Sequence, residues 1–300
     1  GENVKQSNWG DLNSIRFPQT RMGVEQTMYD AFIRAKDYKL FWEKYSSLNT
    51  KDKAKAFAPR RDLELDALVE ILDKKRFITC HSYVQSEINM LMHVGDSMGF
   101  TVNTFTHILE GYKVADKMKA RGINASSFSD WWAYKYEVYD AIPYNPAMLA
   151  KVGVNTAVNS DDAEMARRLN QEAAKSIKYG GLTEEEAWKL CTLNPAKMLR
   201  VDDRVGSIKV GKDADVVLWN NNPLSIYANC EITLVDGIMF YNEKDEIAKA
   251  DGIQKERTRL MNKMLQAKQN GETAIKPAVI YNREWDCDSM TDGHDVGKKN

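Results

Sequence analysis

Cysteine is scarce and scattered in this sequence: Cys80, Cys191, Cys230 and Cys287 form no CxxC pair. That excludes a zinc knuckle and indicates no disulfide framework, and the thiols suit a reducing or an oxidising compartment alike. An excess of charge of either sign is missing too. With a formal net charge of −1, nothing electrostatic draws the chain to nucleic acid or to an anionic membrane. No apolar run approaches the length of a membrane span, and no secretory leader is readable. An internal repeat is also lacking. The chain opens on Gly1 rather than Met, and GENVKQSN reads as the interior of something longer. The expectation is an N-terminal portion upstream. Localisation therefore stays open between cytoplasmic and, if a leader precedes Gly1, periplasmic or secreted.

What is present is an ordinary globular composition, 43% hydrophobic and 28% charged over 300 residues, enough for one large domain or two smaller ones. Residues 22–45 predict a long helix, and 61–75 carry Leu65, Leu68, Val69 and Leu72 at helical spacing. FITCHSY (77–83) then reads as a strand with Phe77, Thr79 and His81 on one face. A helix over 84–98 ends at Gly99, and FTVNTFTHI (100–108) is a second strand finishing near His107. VGVNTAVNSD (152–161) is a further strand finishing at Asp161, followed by a helix burying Ala166, Leu169, Ala173 and Ile177 and closing at Gly180-Gly181. Thr183 with Glu186 forms a capping box, and Pro195 splits that segment, with Asn194 capping the second piece. Two short strands are expected around Gly211-Lys212, and Asp236-Gly237 signals a tight hairpin. Residues 244–271 predict a charged surface helix before a polar tail.

His81, His107 and Asp161 thus stand at the C-terminal ends of strands in a repeated strand–helix order, where parallel α/β folds build their sites. Imidazoles and a carboxylate are donors that zinc and similar divalent ions accept. A lone histidine at a strand end is more often structural, and three such residues on consecutive units weigh differently. His93 points away from Ile88 and Leu91 and is expected in solvent. His294, near Asp286, Cys287 and Asp292, reads as part of a solvated acidic tail rather than a second metal site.

The stretch LTEEEAWKLCTLNPAKMLRVDDRVGSIKVGKDADVVLW, with NSDD, THILEG and TCHSY before it, resembles the amidohydrolase superfamily over roughly residues 76–242. The imidazolonepropionase-like and dipeptidase-like members are the nearest in pattern. The resemblance implies an α/β fold: part of a (β/α)₈ barrel, about strands four to eight, over 1–204. It further implies strands of a composite β-sandwich over 205–243, with a helix and tail over 244–300. It implies a divalent metal, zinc before manganese or iron, one or two ions in the intact enzyme. His81 would be the strand-five ligand, His107 the strand-six ligand and Asp161 the strand-eight ligand. Asp161 would also carry the proton from the activated water to the leaving amine, and it matches the pattern better than Asp162. Glu2 would be the strand-four ligand, with Lys5 the alternative.

The family's HxH of the first strand is absent, since no HxH occurs anywhere in the chain. Four or so strands cannot close an eight-stranded barrel, so an N-terminal half or a second copy is expected to complete it. The implied activity is hydrolysis of a C–N bond in a cyclic amide, small amide or dipeptide. The competing expectation is a non-catalytic assembly or binding module that keeps the fold. Between the presumed last strands lies FSDWWAYKYEVYDAIPYNPAM. Most of its aromatics are expected to pack a loop against the rim, with Trp131 or Trp132 the residues to contact a substrate.

Overall fold

Thr20 starts the first helix: its Oγ1 accepts the Gly23 N–H, and α1 (Arg21–Ser47) continues for 27 residues. The computed structural model describes residues 17–131 and 136–273. Glu2, Lys5, Trp132 and the tail residues Asp286, Cys287, Asp292 and His294 lie outside the described residues. Those described divide into two units, one reaching Lys212 and including Pro223–Ile226, the other made of Asp213–Asn222 and the chain from Tyr227 on.

In the first unit, α2 (Thr50–Lys53) is a single turn, and α3 (Leu63–Leu72) is capped by Asp62, whose carboxylate accepts the Glu64 and Leu65 N–H groups. Helix α1 lies against α3, tied by Tyr38 Oη donating to Asp66 (2.8 Å) and by Lys39 on Asp73 (2.5 Å). Then β1 (Thr79–His81), α4 (Gln85–Met98), β2 (Thr104–Thr106), α5 (Ala115–Ala120), β3 (Asn124–Ser127), α6 (Asn145–Val152) and β4 (Thr156–Val158) follow in alternation. The four strands form one parallel sheet in the order β1-β2-β3-β4, with Thr79 opposite Thr104, Thr104 opposite Asn124, and Ala125 opposite Thr156. The crossovers a parallel sheet requires are helical, as the strand–helix order predicts. Phe105, Ile108 and Ala125 meet Ile88, Leu91, Met92, Val114, Met118 and Leu149 in the main core. A side chain of this size contributes about 1.5–3 kcal/mol when fully buried.

The strands are shorter than the sequence predicts. The second ends at Thr106 because His107 takes φ +62°, leaving the extended ladder. The fourth starts only at Thr156, because Val152 is still helical and Gly153, at φ +92°, caps α6.

After β4, the chain forms α7 (Ala163–Ala166), α8 (Leu169–Gly180), α9 (Glu184–Lys189) and α10 (Leu193–Leu199). The helix read through 166–177 is two helices. The break resets the phase, so Ala166 is exposed and the buried side of α8 is Glu172, Ala173 and Ser176. The capping box of Thr183 and Glu186 is present. Asn194 is not a cap, which falls at Thr192; its Nδ2 instead donates to Thr156 O (2.8 Å), covering β4.

The second unit holds β5 (Val216–Trp219), β6 (Cys230–Val235) and β7 (Ile238–Asn242), antiparallel in that order. Asp236 and Gly237 take φ +52° and +78°, the two positive values a tight primed hairpin turn needs. α11 (Glu243–Gln269), capped by Asn242, runs beside β6 and β7 and buries no side chain fully. The strand expected before Gly211 does not form. That stretch belongs to the first unit, where Lys212 Nζ gathers Val205 O (3.0 Å) and Ser207 Oγ (2.8 Å) into a loop. Among the described residues the sheet of this unit is a single layer of three strands. No described helix is long and apolar enough to cross a membrane.

Candidate active site

His81 closes β1, and the ladder continues one residue past it, Ser82 N–H donating to Thr106 O (3.1 Å). The loops leaving β1 and β2 are joined by Glu110. Its backbone N–H donates to Tyr83 O (3.1 Å), and its buried carboxylate accepts the Gln85 N–H (3.0 Å) that opens α4. Val84, the N-cap of α4, supplies no side-chain bond, so Glu110 satisfies an orphan donor from outside the helix. Lys113 lies 3.3 Å from the same carboxylate. This clasp brings the rings of His81 and His107 to 4.6 Å between centroids, inclined by 55°.

His107 holds a left-handed backbone that costs a non-glycine residue about 1–3 kcal/mol. The surroundings that impose it are visible. Asn145, fully buried at the start of α6, donates to Ile108 O (2.8 Å) and Ser127 Oγ (2.8 Å) and accepts the Tyr112 N–H (2.9 Å). The His107 ring lies between Tyr83 (6.2 Å) and Phe128 (4.9 Å), and Phe128 stacks in turn on Trp131 (4.5 Å). Trp131 Nε1 donates to the Met165 sulfur. Asp161 stands three residues beyond β4, its Oδ1 3.6 Å from His107 Nε2; the imidazole side chain is 6% exposed and the carboxylate 36%. Asp162 is turned to other work, capping α7 through the Glu164 and Met165 N–H groups. On the other ring nitrogen, His107 Nδ1 is 2.9 Å from Asn159 Nδ2, and Asn159 Oδ1 accepts Ser126 Oγ (2.6 Å).

The structure therefore brings His81, His107 and Asp161 to one end of the sheet and puts Trp131 on the aromatic column beside them. His93 is exposed, next to Asp96. Cys80 contributes no thiolate, because burial pushes its thiol up to about 11. A small, open pocket lies beside His81, walled by Val24, Met28, Met90 and Leu91 and by the Arg21–Glu87 ion pair; neither His107 nor Asp161 lines it. Asn159, Ser126, Asn145 and Glu110 were not singled out from the sequence. Only Asn159 left a signal: it lies two residues before Asp161, and period-two alternation puts the pair on one side of an extended chain.

The donor types, two imidazoles and a carboxylate, fit a divalent ion. The 3.6 Å between His107 Nε2 and Asp161 Oδ1 is long for a direct hydrogen bond. It is close to the roughly 3.4 Å that separates two ligands about 2.1 Å from one tetrahedral zinc. Among the described residues, no three His, Cys, Asp or Glu side chains form a group that could hold a metal, so they do not make a complete shell.

A polar cluster on neighbouring elements has a structural task. Ser129 Oγ donates to the buried Glu172 carboxylate, and Lys175 Nζ bridges Glu172 (2.9 Å) and Asp130 (2.9 Å). Burial works against the Lys175 charge, but the bonds to Asp130 and Glu172 outweigh it and leave the ammonium above its ordinary value. The cluster pins the segment between Phe128 and Trp131 to α8.

Comparison with known proteins assigns the class. The amidohydrolase family model matches residues 89–250, more than half of the chain, and the chain belongs to that family. An amidohydrolase of Thermotoga maritima has a solved structure 28% identical to it, with a TM-score of 0.67 over 75% of this chain and 57% of that one. The amidohydrolase tasK of Hapsidospora irregularis is 28% identical over 63% of this chain and 20% of its own length. The imidazolonepropionase of Shewanella oneidensis is 59% identical over 39 residues, 13% of this chain and 10% of that protein. The chain thus spans a fifth or less of these two curated relatives and 57% of the solved one.

Proposed function

We propose that this chain carries the later strands of a (β/α)₈ barrel hydrolase that cleaves a C–N bond in a cyclic amide, small amide or dipeptide. The observation that supports it is the run of contacts from His81, the last residue of β1, to His107 and from His107 to Asp161, at the C-terminal ends of parallel strands in a chain of the amidohydrolase family. In this reading His81, His107 and Asp161 would hold a divalent ion, zinc first, with Glu2 or Lys5 as a further ligand. When bound, such an ion polarises an amide carbonyl and brings the pKa of water from about 15.7 toward about 7.

The chain's own residues do the rest. Asp161, partly exposed, takes a proton from the attacking water and delivers it to the leaving nitrogen, which must depart as a neutral amine. The Phe128–Trp131 stack forms an apolar wall beside His107 that excludes water and receives a flat or apolar group of the substrate. A strand supplied by an N-terminal half or by a second copy covers the outer edge of β1 and completes the barrel.

The incomplete shell among the described residues favours a second reading, an assembly or binding module that keeps the fold. Elemental analysis of the purified chain beside the double variant His81→Ala, His107→Ala separates the two. Near-stoichiometric metal in the parent, lost in the variant, is the expected result. Metal in neither means that this chain alone is an inactive portion, to be tested again with its N-terminal half restored; absence of metal there too overturns the hydrolase reading and supports the binding module.

A further inference from the structure

Helix α1 is longer than the core it serves. Arg21 pairs with Glu87 in the first turn of α4, and Tyr29 Oη donates to Ser97 Oγ (3.4 Å) one residue before α4 ends. Phe32 then stacks on Phe100, just past that end (4.3 Å). Helix α4 follows β1 and runs back toward the opposite end of the parallel sheet, so α1, running alongside it, heads away from the end that holds His81 and Asp161. Ala35 is the last buried residue of α1, yet the helix continues to Ser47, about 18 Å farther at about 1.5 Å per residue. The loop carried at the tip of this arm is basic. From residue 44 to residue 61 the cations are Lys44, Lys51, Lys53, Lys55, Arg60 and Arg61, against Asp52 alone. Two of them are engaged locally: Lys53 Nζ donates to Ser46 O (3.0 Å) and Arg61 Nε to Asp66 (2.8 Å). Lys44, Lys51, Lys55 and Arg60 are exposed, with no acidic partner among the described residues. Amid these charges Phe57 is 100% exposed, and Leu63, at the start of α3, is 74% exposed.

We propose that this arm is a membrane-contact element: its lysines and arginines meet the anionic headgroups of a lipid bilayer, and Phe57 enters the boundary between headgroups and acyl chains. A net charge of −1 averages over the whole chain and hides a concentration that the fold sets at one tip. Attraction of such a cluster to an anionic surface needs no fixed shape, and an apolar ring buried at the interface adds to it. Residues 57–62 form neither helix nor strand, so they present no ordered element to a folded partner. Single-stranded nucleic acid binds on a row of aromatic platforms, and the loop between α2 and α3 holds one aromatic residue. Contact at this tip leaves the end of the sheet with His81 and Asp161 facing away from the lipid. The inference stands apart from the hydrolase reading.

The test is flotation of the purified chain with vesicles of phosphatidylcholine containing about 30% phosphatidylserine, beside vesicles of phosphatidylcholine alone, at about 0.1 M and about 0.5 M salt. The expected result is binding to the anionic vesicles only, weakened at the higher salt. The triple variant Lys51→Gln, Lys55→Gln, Arg60→Gln should bind about 100-fold more weakly, at about 5-fold for each cation removed. Phe57→Ser should lose about 10-fold or more. All four positions are exposed, so both variants should keep the thermal midpoint of the wild type, measured alongside. The proposal is overturned if the wild type ignores the anionic vesicles or binds both kinds equally, results that need no variant to fold. A folded Phe57→Ser that binds as tightly as the wild type overturns it as well. Retention on immobilised single-stranded RNA without vesicle binding overturns it in favour of nucleic acid. Self-association that Phe57→Ser abolishes, again without vesicle binding, overturns it in favour of a second copy.

Discussion

Asn145 has no solvent exposure and keeps three partners satisfied at once: Ile108 O, Ser127 Oγ and the Tyr112 N–H. It therefore holds the turn in which His107 adopts φ +62°. Replacing it with Ala leaves buried polar groups unpaired, at roughly 1–3 kcal/mol for each one that finds no water. Asn145→Ala should lower the unfolding free energy by about 2–4 kcal/mol, read from the midpoint of a urea titration, while Asn170→Ala, which removes a single part-buried bond to Pro223 O, serves as a milder control. No loss of stability would show that the turn holds itself. Nothing in the local sequence singles Asn145 out, since an Asn before a Pro is an ordinary helix start. Its importance comes from Ile108 and Ser127, which are 37 and 18 residues away. The placement of His81, His107 and Asp161 at or just past strand ends was legible because it follows from the strand–helix alternation.

At the scale of elements, the close approach of α6 and α8 depends on Gly180, where an added Cβ would stand 1.9 Å from the Cβ of Ala147. Two carbons cannot share that space, so one helix must shift. Gly180→Ala should destabilise the first unit by about 1–3 kcal/mol, the usual cost of overpacking. Gly252→Ala, in the middle of α11 with nothing near its added carbon, should instead be neutral or stabilise by up to about 1 kcal/mol. Thermal unfolding of the two variants checks the opposite signs; equal shifts would mean that the crossing of α6 and α8 is loose. The sequence pattern marked Gly180-Gly181 as a helix end, which it is, with Gly181 at φ +62°. It could not show the neighbour that requires a missing Cβ, because Ala147 belongs to another helix.

For the molecule as a whole, the pH dependence of stability follows from several carboxylates acting together. Asp66 is held below the usual carboxylate range by the Arg61 guanidinium and then by the Tyr38 hydroxyl, Asp73 by Lys39, and Asp96 by Arg121. A carboxyl whose folded pKa lies below its unfolded value binds a proton more readily when the chain is unfolded. Its stabilisation is present above the unfolded value, about 3.9, and is lost as pH falls through the lower folded value. All three lie near the surface, so each contribution is modest and screened by salt. The thermal midpoint should fall from pH 5 toward pH 2, less steeply at 1 M salt. In the triple variant Asp66→Asn, Asp73→Asn, Asp96→Asn the slope should flatten. An unchanged slope would place the acid sensitivity elsewhere.

What the sequence by itself determined are the features whose cause lies within a few residues. The helix of 84–98 with its stop at Gly99, the capping box of Thr183 and Glu186, and the Asp236-Gly237 turn all depend on neighbours close along the chain. The family signature is local in the same sense. Tertiary structure decided the features that need a distant partner. Strand β2 stops at Thr106 because packing around His107 imposes a backbone its own propensity disfavours. Helix α8 buries Glu172 rather than Ile177, because Lys175 and Ser129 are there to satisfy a carboxylate out of water. Asn159 and Ser126, 33 residues apart, meet only because β3 and β4 pair side by side. Apolar periodicity shows which face of an element is hidden. Which polar group may be hidden with it depends on a hydrogen-bond partner, and only the folded chain supplies one.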